Sequence, residues 1–352
     1  MLSGDRELVA ESNGGIMMSP AMQTAPHTIL SEVWTQLPKK YRKPRETAWA
    51  NANFHAQHLE CFLEGPSFDR QGRLYVVDIP FGRIFRISED GEWQLITEYD
   101  GWPNGLKIHS DGTIYITDYK RGLMRLDPEN GKVEPYIEHW RSEGFRGLND
   151  LVFASNGDLY FTDQGQSGLH DPTGRVFRIR HEDLSTGTLQ CLLSCGPSPN
   201  GIVLNLAENQ VFVAMTRDNA IWRLPLQPDG GVSKVGRFIQ MSGGVGPDGL
   251  ALDETGGIVV AHFGTSVCRF DSTGRATHVI ELPGTLTNAV TCTNMAFGGA
   301  LNKTLYIVES STGTILKACM PIQGVSFFHI SPSTKNCTRT QLIHPALFEH
   351  DP

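Results

Sequence analysis

The sequence predicts an all-β fold, a six-bladed β-propeller with an N-terminal extension, and two observations lead to that prediction. The first is a short phrase that occurs six times in the 352 residues, in which a polar residue precedes small and apolar residues. The polar residues that open the phrases are Glu64, Asn104, Asn149, Asn200, Asp248 and Thr293. They are separated by 40, 45, 51, 48 and 45 residues, and repeats of this length typically close into a ring of similar units.

The second observation is a common order of strand-like segments within each repeat. After Asn104, the segments 106–108, 113–118, 122–127 and 133–137 have the composition of strands, and glycine-containing turns separate them. The segments predicted as second strands of the six repeats are 73–78, 113–118, 158–163, 210–215, 257–262 and 304–309. Six four-stranded units fit a propeller. A β-sandwich does not explain the repeated phrase, and a solenoid would require polar capping units.

Residues 1–50 lie outside the repeat and are predicted to be an extension, with the propeller domain at 51–352. A short helix is predicted around Ile29–Trp34, and the extension is expected to be partly ordered and to wrap around the ring or an adjoining subunit. The apolar segment 325–330 is a candidate for a strand that closes the ring. The sequence does not identify which end of the chain supplies that strand.

Composition and charge exclude several classes of function. The net charge is −8, and no basic run with interleaved aromatic residues occurs, so a nucleic-acid partner is not expected. The basic segment 39–45 is short and is interpreted as a solvated linker face. Apolar stretches are no longer than strands, so no membrane span is expected. The sequence gives no indication of the oligomeric state.

The N-terminus and the cysteines both favour a cytoplasmic location. The first residues lack a basic region followed by an apolar one, so a signal peptide is not expected. The seven cysteines are odd in number and scattered in spacing. This pattern is typical of free thiols in a reducing compartment rather than of a disulfide framework.

The polar residues at the start of the six phrases, here called the polar column, predict a metal site. In a closed ring one sequence position becomes one circle in space, so carboxylates from Glu64 and Asp248 would meet amide oxygens from Asn104, Asn149 and Asn200. These are ligands for Ca²⁺, or for Mg²⁺ or Mn²⁺ with added waters. The column lacks Cys and His, which disfavours a soft-ligand zinc site, although carboxylates bind Zn²⁺ in mixed sites.

A backbone explanation of the polar column remains open. Asn-Gly and Asp-Gly are turn dipeptides, and a repeat conserves its turns for conformational reasons. That explanation would cover Asn104, Asn200 and Asp248. It does not cover Glu64, which is a poor turn former, or Asn149, which precedes an aspartate.

A second set of residues lies fourteen positions further on in four repeats and consists of Asp78, Asp118, Asp163 and His262. The aspartates are interpreted as carboxylates that end a strand and accept hydrogen bonds from turn amides. His262 is interpreted as structural, with a position bordering the pocket as the alternative. Arg146 lies three residues before Asn149 and is a candidate for binding substrate oxygens, with an ordinary surface role as the alternative.

Nucleophilic serine chemistry has little support in the sequence. No G-x-S-x-G motif occurs. Ser310 and Ser311 lie in a polar turn before Gly313 without a neighbouring His or Asp phrase.

Several phrases together resemble the senescence marker protein (regucalcin)/gluconolactonase family. They are 63–66, 147–153, 159–163, 199–201 and 247–250. The phrases around Asn149 and Asp163 are most similar to those of bacterial drug-responsive lactonases, and the resemblance spans about residues 60–320. Members of the family are six-bladed propellers that open lactones with a divalent metal, so the resemblance implies the same fold and activity here.

The resemblance also implies roles for matched residues. Glu64, Asn200 and Asp248 match the metal ligands of the family, and Asp248 also matches the proposed general base. Asn149 matches a channel asparagine that binds metal or substrate. Arg146 matches less well, because the family's arginine usually lies one residue nearer the asparagine.

Two departures from related propellers narrow the mechanism. Asn104 lies where the more distant paraoxonases have a pocket histidine, so a histidine mechanism of that type is in doubt here. The long N-terminal extension is not typical of the family.

The predicted function is therefore the hydrolysis of a small-molecule lactone with one divalent metal ion, for which Ca²⁺ is preferred and Mg²⁺, Mn²⁺ and Zn²⁺ are alternatives. The ion would polarise the carbonyl, Asp248 would accept a proton from water, and Asn104, Asn149 and Arg146 would orient the substrate. One alternative is a propeller that serves as a binding scaffold, which would not require both Glu64 and Asp248. Another is a related propeller esterase, organophosphate hydrolase or strictosidine-synthase-like condensing enzyme.

Overall fold

The computed structural model describes residues 25–54, 58–286 and 291–325. Within these ranges the chain forms 26 β-strands and one α-helix, α1 (Ala48–Phe54). Short 3-10 helices lie at Lys39–Tyr41, Ile79–Phe81, His181–Asp183, Thr216–Asp218 and Gly284–Leu286. None of the helices in the described part of the chain is long and apolar enough to cross a membrane.

Four separate sheets each contain four consecutive antiparallel strands. The first contains β2 (Leu63–Phe68), β3 (Leu74–Asp78), β4 (Arg83–Ile87) and β5 (Trp93–Glu98). The second contains β6 (Pro103–Ile108), β7 (Ile114–Asp118), β8 (Gly122–Asp127) and β9 (Lys132–Ile137). A small hairpin, β10 (His139–Trp140) and β11 (Glu143–Gly144), precedes the third sheet. That sheet contains β12 (Leu148–Phe153), β13 (Leu159–Asp163), β14 (Gly174–Ile179) and β15 (Gln190–Gly196). The fourth contains β16 (Pro199–Leu204), β17 (Gln210–Met215), β18 (Ala220–Pro225) and β19 (Gly236–Gln240).

The remaining strands form one eight-stranded sheet. They are β1 (His27–Gln36), β20 (Gly246–Leu252), β21 (Ile258–Phe263), β22 (Ser266–Phe270), β23 (Ala276–Glu281), β24 (Cys292–Gly298), β25 (Thr304–Glu309) and β26 (Thr314–Cys319). Their spatial order is β20-β21-β22-β23-β1-β26-β25-β24. The described structure thus has four separate four-stranded sheets, the β10-β11 hairpin and one eight-stranded sheet, rather than six separate four-stranded sheets.

The first strand of each repeat lies at the centre of the arrangement. These inner strands, defined as β2, β6, β12, β16, β20 and β24, contact one another in chain order, and β24 contacts β2. Apolar side chains pack between adjacent sheets, as where Val152 and Tyr160 of the third sheet meet Ile202 and Val211 of the fourth. The arrangement is all-β and propeller-like, which confirms the predicted class.

Side-chain hydroxyls connect neighbouring inner strands. Thr117 on β7 donates to the Asn149 carbonyl at 2.6 Å, and Thr162 on β13 donates to the Asn200 carbonyl at 2.8 Å. Ser310 donates to the Leu63 carbonyl at 2.6 Å, which joins the last repeat to the first. The hydroxyl of Ser310 therefore has a structural partner, in agreement with the absence of a nucleophile motif.

Glycine lets the inner strands approach closely just after the polar column. A Cβ on Gly201 would lie 2.4 Å from the Asp248 carbonyl oxygen, and one on Gly249 would lie 2.3 Å from the Asn294 side chain. Contacts this short do not occur for real Cβ atoms, so the glycines in these phrases are required by the packing of one repeat on the next.

The helix predicted around Ile29–Trp34 is wrong, because this segment lies within β1. Residues 27–30 pair in parallel with 278–281 of β23, and residues 31–36 pair antiparallel with 314–318 of β26. Hydrogen bonding to two sheet edges thus overrides the local helical pattern. The strand inserted between β23 and β26 comes from the N-terminal segment. Of the alternative closing segment 325–330, all but Val325 lies outside the described residues.

Six of the seven cysteines lie within the described residues. Cys61, Cys191, Cys195, Cys268, Cys292 and Cys319 form no disulfide within the described ranges. Cys337 lies outside them.

Candidate functional site

A β-bulge positions the polar column in every inner strand. The pairing register shifts between Glu64/Ser67, Pro103/Gly105, Leu148/Leu151, Pro199/Ile202, Pro247/Leu250 and Cys292/Asn294. Bulges redirect side chains and are frequent beside active sites. The six column residues therefore lie at one end of the ring, here called the channel mouth, where the inner strands begin.

Burial distinguishes Asp248 from the other members of the polar column. Glu64, Asn104, Asn149, Asn200 and Thr293 are all buried, with exposures between 1% and 8%. Asp248 is half-buried and keeps accessible surface. It is therefore the member of the column best placed to meet a molecule that enters the mouth.

Hydrogen bonds fix the orientation of the column side chains. Glu64 Oε2 accepts from the Gly65 N–H at 2.9 Å and from Asn294 Nδ2 at 3.1 Å. Asn149 Nδ2 donates to Gln164 Oε1 at 3.0 Å, and Asn200 Nδ2 donates to Thr216 Oγ1 at 3.3 Å. Because both asparagines use their NH₂ groups within the protein, the amide oxygen is the group that each retains for a ligand.

The carboxyl groups at the mouth have raised pKa values. Burial raises the pKa of Glu64 to about 7, against hydrogen bonds from Thr293, Gly65 and Asn294. Burial and the neighbouring charges of Glu64 and Asp150 raise the pKa of Asp248 well above its ordinary value. Clustered buried acids of this kind are stabilised in their charged forms by a cation.

Asp150 is a member of this acidic group that the sequence analysis did not assign to the site. It is buried, and burial raises the pKa of its carboxyl group while the charge of Lys107 opposes the rise. Four of the six repeats have glycine at the equivalent position, so a charged residue there was the signal that could have identified it.

The donors at the mouth fit a hard divalent cation. Within the described residues, no group of three or more His, Cys, Asp and Glu side chains is placed to hold one metal ion. The ligands predicted from the sequence are two carboxylates, Glu64 and Asp248, and the amide oxygens of Asn149 and Asn200. Oxygen donors of mixed charge are the type that Ca²⁺ accepts.

The structure does not place the Arg146 guanidinium in this cluster. The side chain is exposed, and Nη1 donates to the Thr173 carbonyl, while the backbone N–H donates to Asp163 Oδ1 at 2.8 Å. The positive charge that acts on Asp248 instead belongs to Arg217, which the sequence analysis missed. Arg217 lies in a turn after β17, without a sequence pattern that indicates its position.

The second set of residues has the structural role that was predicted for it. Asp78 accepts from the Phe62 N–H at 2.8 Å, Asp118 from the Trp102 N–H at 3.0 Å, and Asp163 from the Gly147 N–H at 2.9 Å. His262 is buried, and its ring nitrogens bond Asn219 and Thr265 at 2.9 and 2.8 Å. These residues hold the loops around the mouth.

The propeller-like ring, with acidic and amide side chains at one end, agrees with the family that the sequence phrases resemble. Residues 62–311 match the SMP-30/gluconolactonase/LRE-like region family, and the chain therefore belongs to that family. The family resemblance drawn from the sequence phrases is confirmed.

Curated relatives named Lactonase drp35 are similar to more than half of this chain. The protein from Staphylococcus aureus is 30% identical over 234 residues, which is 63% of this chain and 70% of the relative. The protein from Staphylococcus epidermidis is 29% identical over 235 residues, with the same coverage.

Solved structures share the fold at lower identity. A gluconolactonase from Xanthomonas campestris has a TM-score of 0.65 and 22% identity, and the match covers 82% of this chain and 99% of that one. A calcium-binding regucalcin from Agrobacterium tumefaciens has a TM-score of 0.66 and 19% identity, with coverage of 89% and 100%. At these identities the likeness supports the fold alone.

Proposed function

We propose that this protein is a divalent-metal-dependent hydrolase that opens lactone rings. The observation that carries the proposal is the cluster of Glu64, Asp248, Asn149 and Asn200 at the mouth of the ring, in a family whose curated relatives are named lactonases. A binding scaffold has no use for two repelling acids that burial disfavours, so the cluster favours the enzyme over that alternative.

We also propose that the ring has six blades. The eight-stranded sheet consists of two antiparallel four-stranded units, and among the described strands the hydrogen-bonded connection between the units is the parallel pairing of β1 with β23. Each unit begins with an inner strand, β20 or β24, as the four separate sheets do. In this interpretation 51–352 is the propeller domain, and the extension 1–50 contributes β1 to the last blade.

The metal ion is assigned to Glu64, Asn149, Asn200 and Asp248, with Ca²⁺ as the preferred ion. The calcium-binding description of the regucalcin neighbour supports this preference. When bound, the ion would supply a Lewis acid for the lactone carbonyl and stabilise the negative charge that develops there.

Asp248 is assigned as the general base, because it is the acid of the polar column with accessible surface. Its carboxylate would accept a proton from the water that attacks the carbonyl carbon. Asn104 and Asn149 would orient the lactone. Arg146 would contribute to substrate binding only after it releases the Thr173 carbonyl, so the asparagines are assigned the primary role.

A lactone panel assayed with and without chelator tests the proposal. Hydrolysis should disappear when the protein is stripped of metal and should return when one of Ca²⁺, Mg²⁺, Mn²⁺ or Zn²⁺ is added. Aryl esters and organophosphates in the same panel examine the alternative activities. Lactone hydrolysis that persists unchanged in chelator, or no lactone hydrolysis with any metal, would contradict the proposal.

A further inference from the structure

A cavity of about 270 Å³ lies at the end of the ring opposite the channel mouth, where the inner strands end. This cavity, here called the rear cavity, is lined by residues from all six inner strands and the turns that follow them. The lining includes the segments 66–69, 107–110, 152–155, 202–206, 250–252 and 295–297. None of the six members of the polar column is among the lining residues. The rear cavity is therefore separate from the acidic and amide groups of the mouth.

One position of the repeated phrase forms a circle around the rear cavity, as the polar column does at the mouth. It lies three residues after the column and is occupied by Ser67, Lys107, Val152, Val203, Ala251 and Ala296, all of which line the cavity. Phe68, Leu204 and Phe297 add larger apolar side chains to the lining, and Leu206 is 51% exposed there. The rear cavity therefore presents one cation among small and apolar groups, which suits a ligand that is apolar except at one end.

Lys107 has unused hydrogen-bonding capacity in this lining. The residue is half-buried, and its Nζ donates to the Pro66 carbonyl at 3.3 Å, which is its one hydrogen bond to a described residue. An ammonium group has three N–H donors. The charge of Lys107 acts on Asp150, but the two form no ion pair. Nζ can therefore donate to an anionic ligand without breaking an existing ion pair.

His109 provides a second unused donor in the lining. Its side chain is 7% exposed and packs on Phe153, with ring centroids 4.9 Å apart. Within the described ranges, Nε2 is buried and has no hydrogen-bond partner. Nε2 carries a proton in the form whose Nδ1 accepts from the Asp111 N–H at 3.4 Å, and also in the charged form whose Nδ1 pairs with Asp111 Oδ1 at 3.0 Å. A buried donor without a partner is uncommon in folded proteins, and a bound ligand would supply the missing acceptor.

The acidic residues that line the rear cavity are already bonded to the protein. Asp69 Oδ2 accepts from Arg73 Nε at 2.6 Å, and the two residues form an ion pair. The Glu208 carboxylate accepts from the Ser155 N–H at 2.7 Å and from the Ser155 hydroxyl at 2.6 Å. These acids therefore do not use the free donors of Lys107 and His109.

The adjoining chain does not supply an anion for Lys107 either. Val325 is the last described residue, it lines the rear cavity, and its N–H donates to the Leu252 carbonyl at 3.0 Å. Residues 326–335, which follow it in the sequence, contain neither aspartate nor glutamate. A separate anionic ligand therefore matches the unused donors better than this part of the chain does.

We propose that the rear cavity binds an aliphatic monocarboxylate, whose carboxylate accepts from Lys107 Nζ and His109 Nε2 and whose hydrocarbon chain packs on the apolar lining. A carboxylate has acceptor sites enough for both donors. Transfer of the hydrocarbon chain from water is favourable in proportion to the apolar area that it buries. This binding site does not depend on the proposed lactone hydrolysis, because it shares no residue with the polar column.

Calorimetric titration of the full chain with three small molecules tests the proposal. Octanoate combines the anion with the hydrocarbon chain, octylammonium reverses the charge, and acetate lacks the chain. We expect octanoate to bind at one site at least about tenfold more tightly than either of the others, because octylammonium cannot accept from Lys107 and acetate buries little apolar surface. Octanoate that does not bind, or that binds no more tightly than octylammonium, would overturn the proposal.

Two substitutions in the lining locate the octanoate. Lys107→Met removes the charge but keeps a long side chain, and it should weaken octanoate binding about tenfold or more without weakening octylammonium binding. Ala296→Phe fills part of the cavity and should weaken octanoate binding independently of the charge. Lys317→Met is the matched control, because Lys317 lies on β26 outside the lining and pairs with Glu32 at 3.1 Å. It should leave the octanoate affinity within about twofold of the original.

Thermal unfolding of each variant establishes that it is folded, and either lining variant suffices for the test. Octanoate affinity that is unchanged in a folded lining variant would place the ligand elsewhere and overturn the proposal. A titration in the presence of chelator separates the rear cavity from the mouth. Octanoate binding that disappears in chelator would indicate a carboxylate bound to a metal ion, which would also overturn the proposal, whereas binding that persists supports it.

Discussion

Glu64 and Asp248 come from the first and fifth repeats, yet their side chains lie close enough for the charge of Glu64 to raise the pKa of Asp248. Burial makes the charged forms of both carboxyl groups unfavourable, and a cation would stabilise them. Both residues are proposed metal ligands, and Asp248 is also the proposed general base. Asp248 can be tested for both roles with a substitution that preserves shape.

Asp248→Asn should reduce lactone hydrolysis by about 10²–10⁴-fold at saturating metal, because it removes a general base but retains an oxygen ligand. Rates measured across metal concentrations distinguish the roles. Recovery of full activity at high metal would indicate that Asp248 acts only as a ligand. Full activity of Asp248→Asn at low metal concentration would reject both roles. Asp248 would then be only a turn residue, since Asn suits that turn equally well.

Metal affinity should increase as pH rises through about 7. Burial raises the pKa of Glu64 to about 7 and raises the pKa of Asp248 well above its ordinary value, so below about pH 7 a metal ion must compete with protons for these carboxylates. Calorimetric titration with Ca²⁺ at several pH values measures the affinity and the protons released. Affinity that is independent of pH between about 5 and about 8 would contradict the assigned ligands.

At the level of residues, the repeat revealed the polar column but not its surroundings. Glu64, Asn149, Asn200 and Asp248 share one position in the repeated phrase, so a sequence comparison within the chain brings them together. Asp150 occupies a position that is glycine in four of the other five repeats, and Arg217 lies in the 3-10 helix after β17, which has no repeated sequence pattern. Their proximity to Asp248 arises from how sheets pack, which the phrase does not encode.

The inner strands are held at their fixed spacing by second-strand hydroxyls as well as by apolar packing. Thr162 accepts from the Asp150 N–H at 3.0 Å and donates to the Asn200 carbonyl at 2.8 Å, so one side chain joins the inner strands of two sheets. The element that carries Asn200 is therefore positioned by a residue whose hydroxyl bonds backbone groups, and not side chains, of the site residues Asp150 and Asn200.

Thr162→Val should lower the free energy of unfolding by about 1–3 kcal/mol, because it leaves buried backbone groups of Asp150 and Asn200 without a partner. Thr28→Val on β1 is the control, since Thr28 is an exposed strand residue, and it should change stability little. Urea unfolding of both variants provides the measurement. Equal stability of Thr162→Val and the unmodified protein would contradict the structural role of the hydroxyl.

Strands within a repeat could be predicted from local composition, whereas β1 could not. The segments 113–118 and 158–163 alternate and end in aspartate, and the structure forms strands there at 114–118 and 159–163. Residues 29–34 contain a local pattern compatible with a helix, but their partners are β23 and β26, more than 240 residues away. The sequence of residues 29–34 by itself gives no indication that they pair with β23 and β26.

For the whole molecule, the ring depends on a strand that is remote in sequence from its neighbours. β1 satisfies the hydrogen-bonding edges of both β23 and β26, and Ser310 joins the last repeat to Leu63 in the first. Because edges left unpaired promote association between chains, closure affects solubility as well as stability.

A variant that lacks residues 1–36 should unfold at lower temperature and aggregate, because the edges of β23 and β26 lose their partner. A variant that lacks only residues 1–24 retains β1 and is the control. Thermal unfolding and size-exclusion chromatography measure both effects. An unchanged melting temperature after removal of 1–36 would show that β1 is dispensable.

The position of β1 also has a consequence for how the protein is made. During synthesis, His27–Gln36 leaves the ribosome before its partners Ala276–Glu281 and Thr314–Cys319 have been made. The nascent chain therefore carries an unpaired strand until β23 and β26 emerge, and this pairing is a contact of very high sequence separation. Such contacts form slowly and leave edges open to wrong partners. Chaperone demand should consequently remain high until β23 and β26 have emerged and paired with β1.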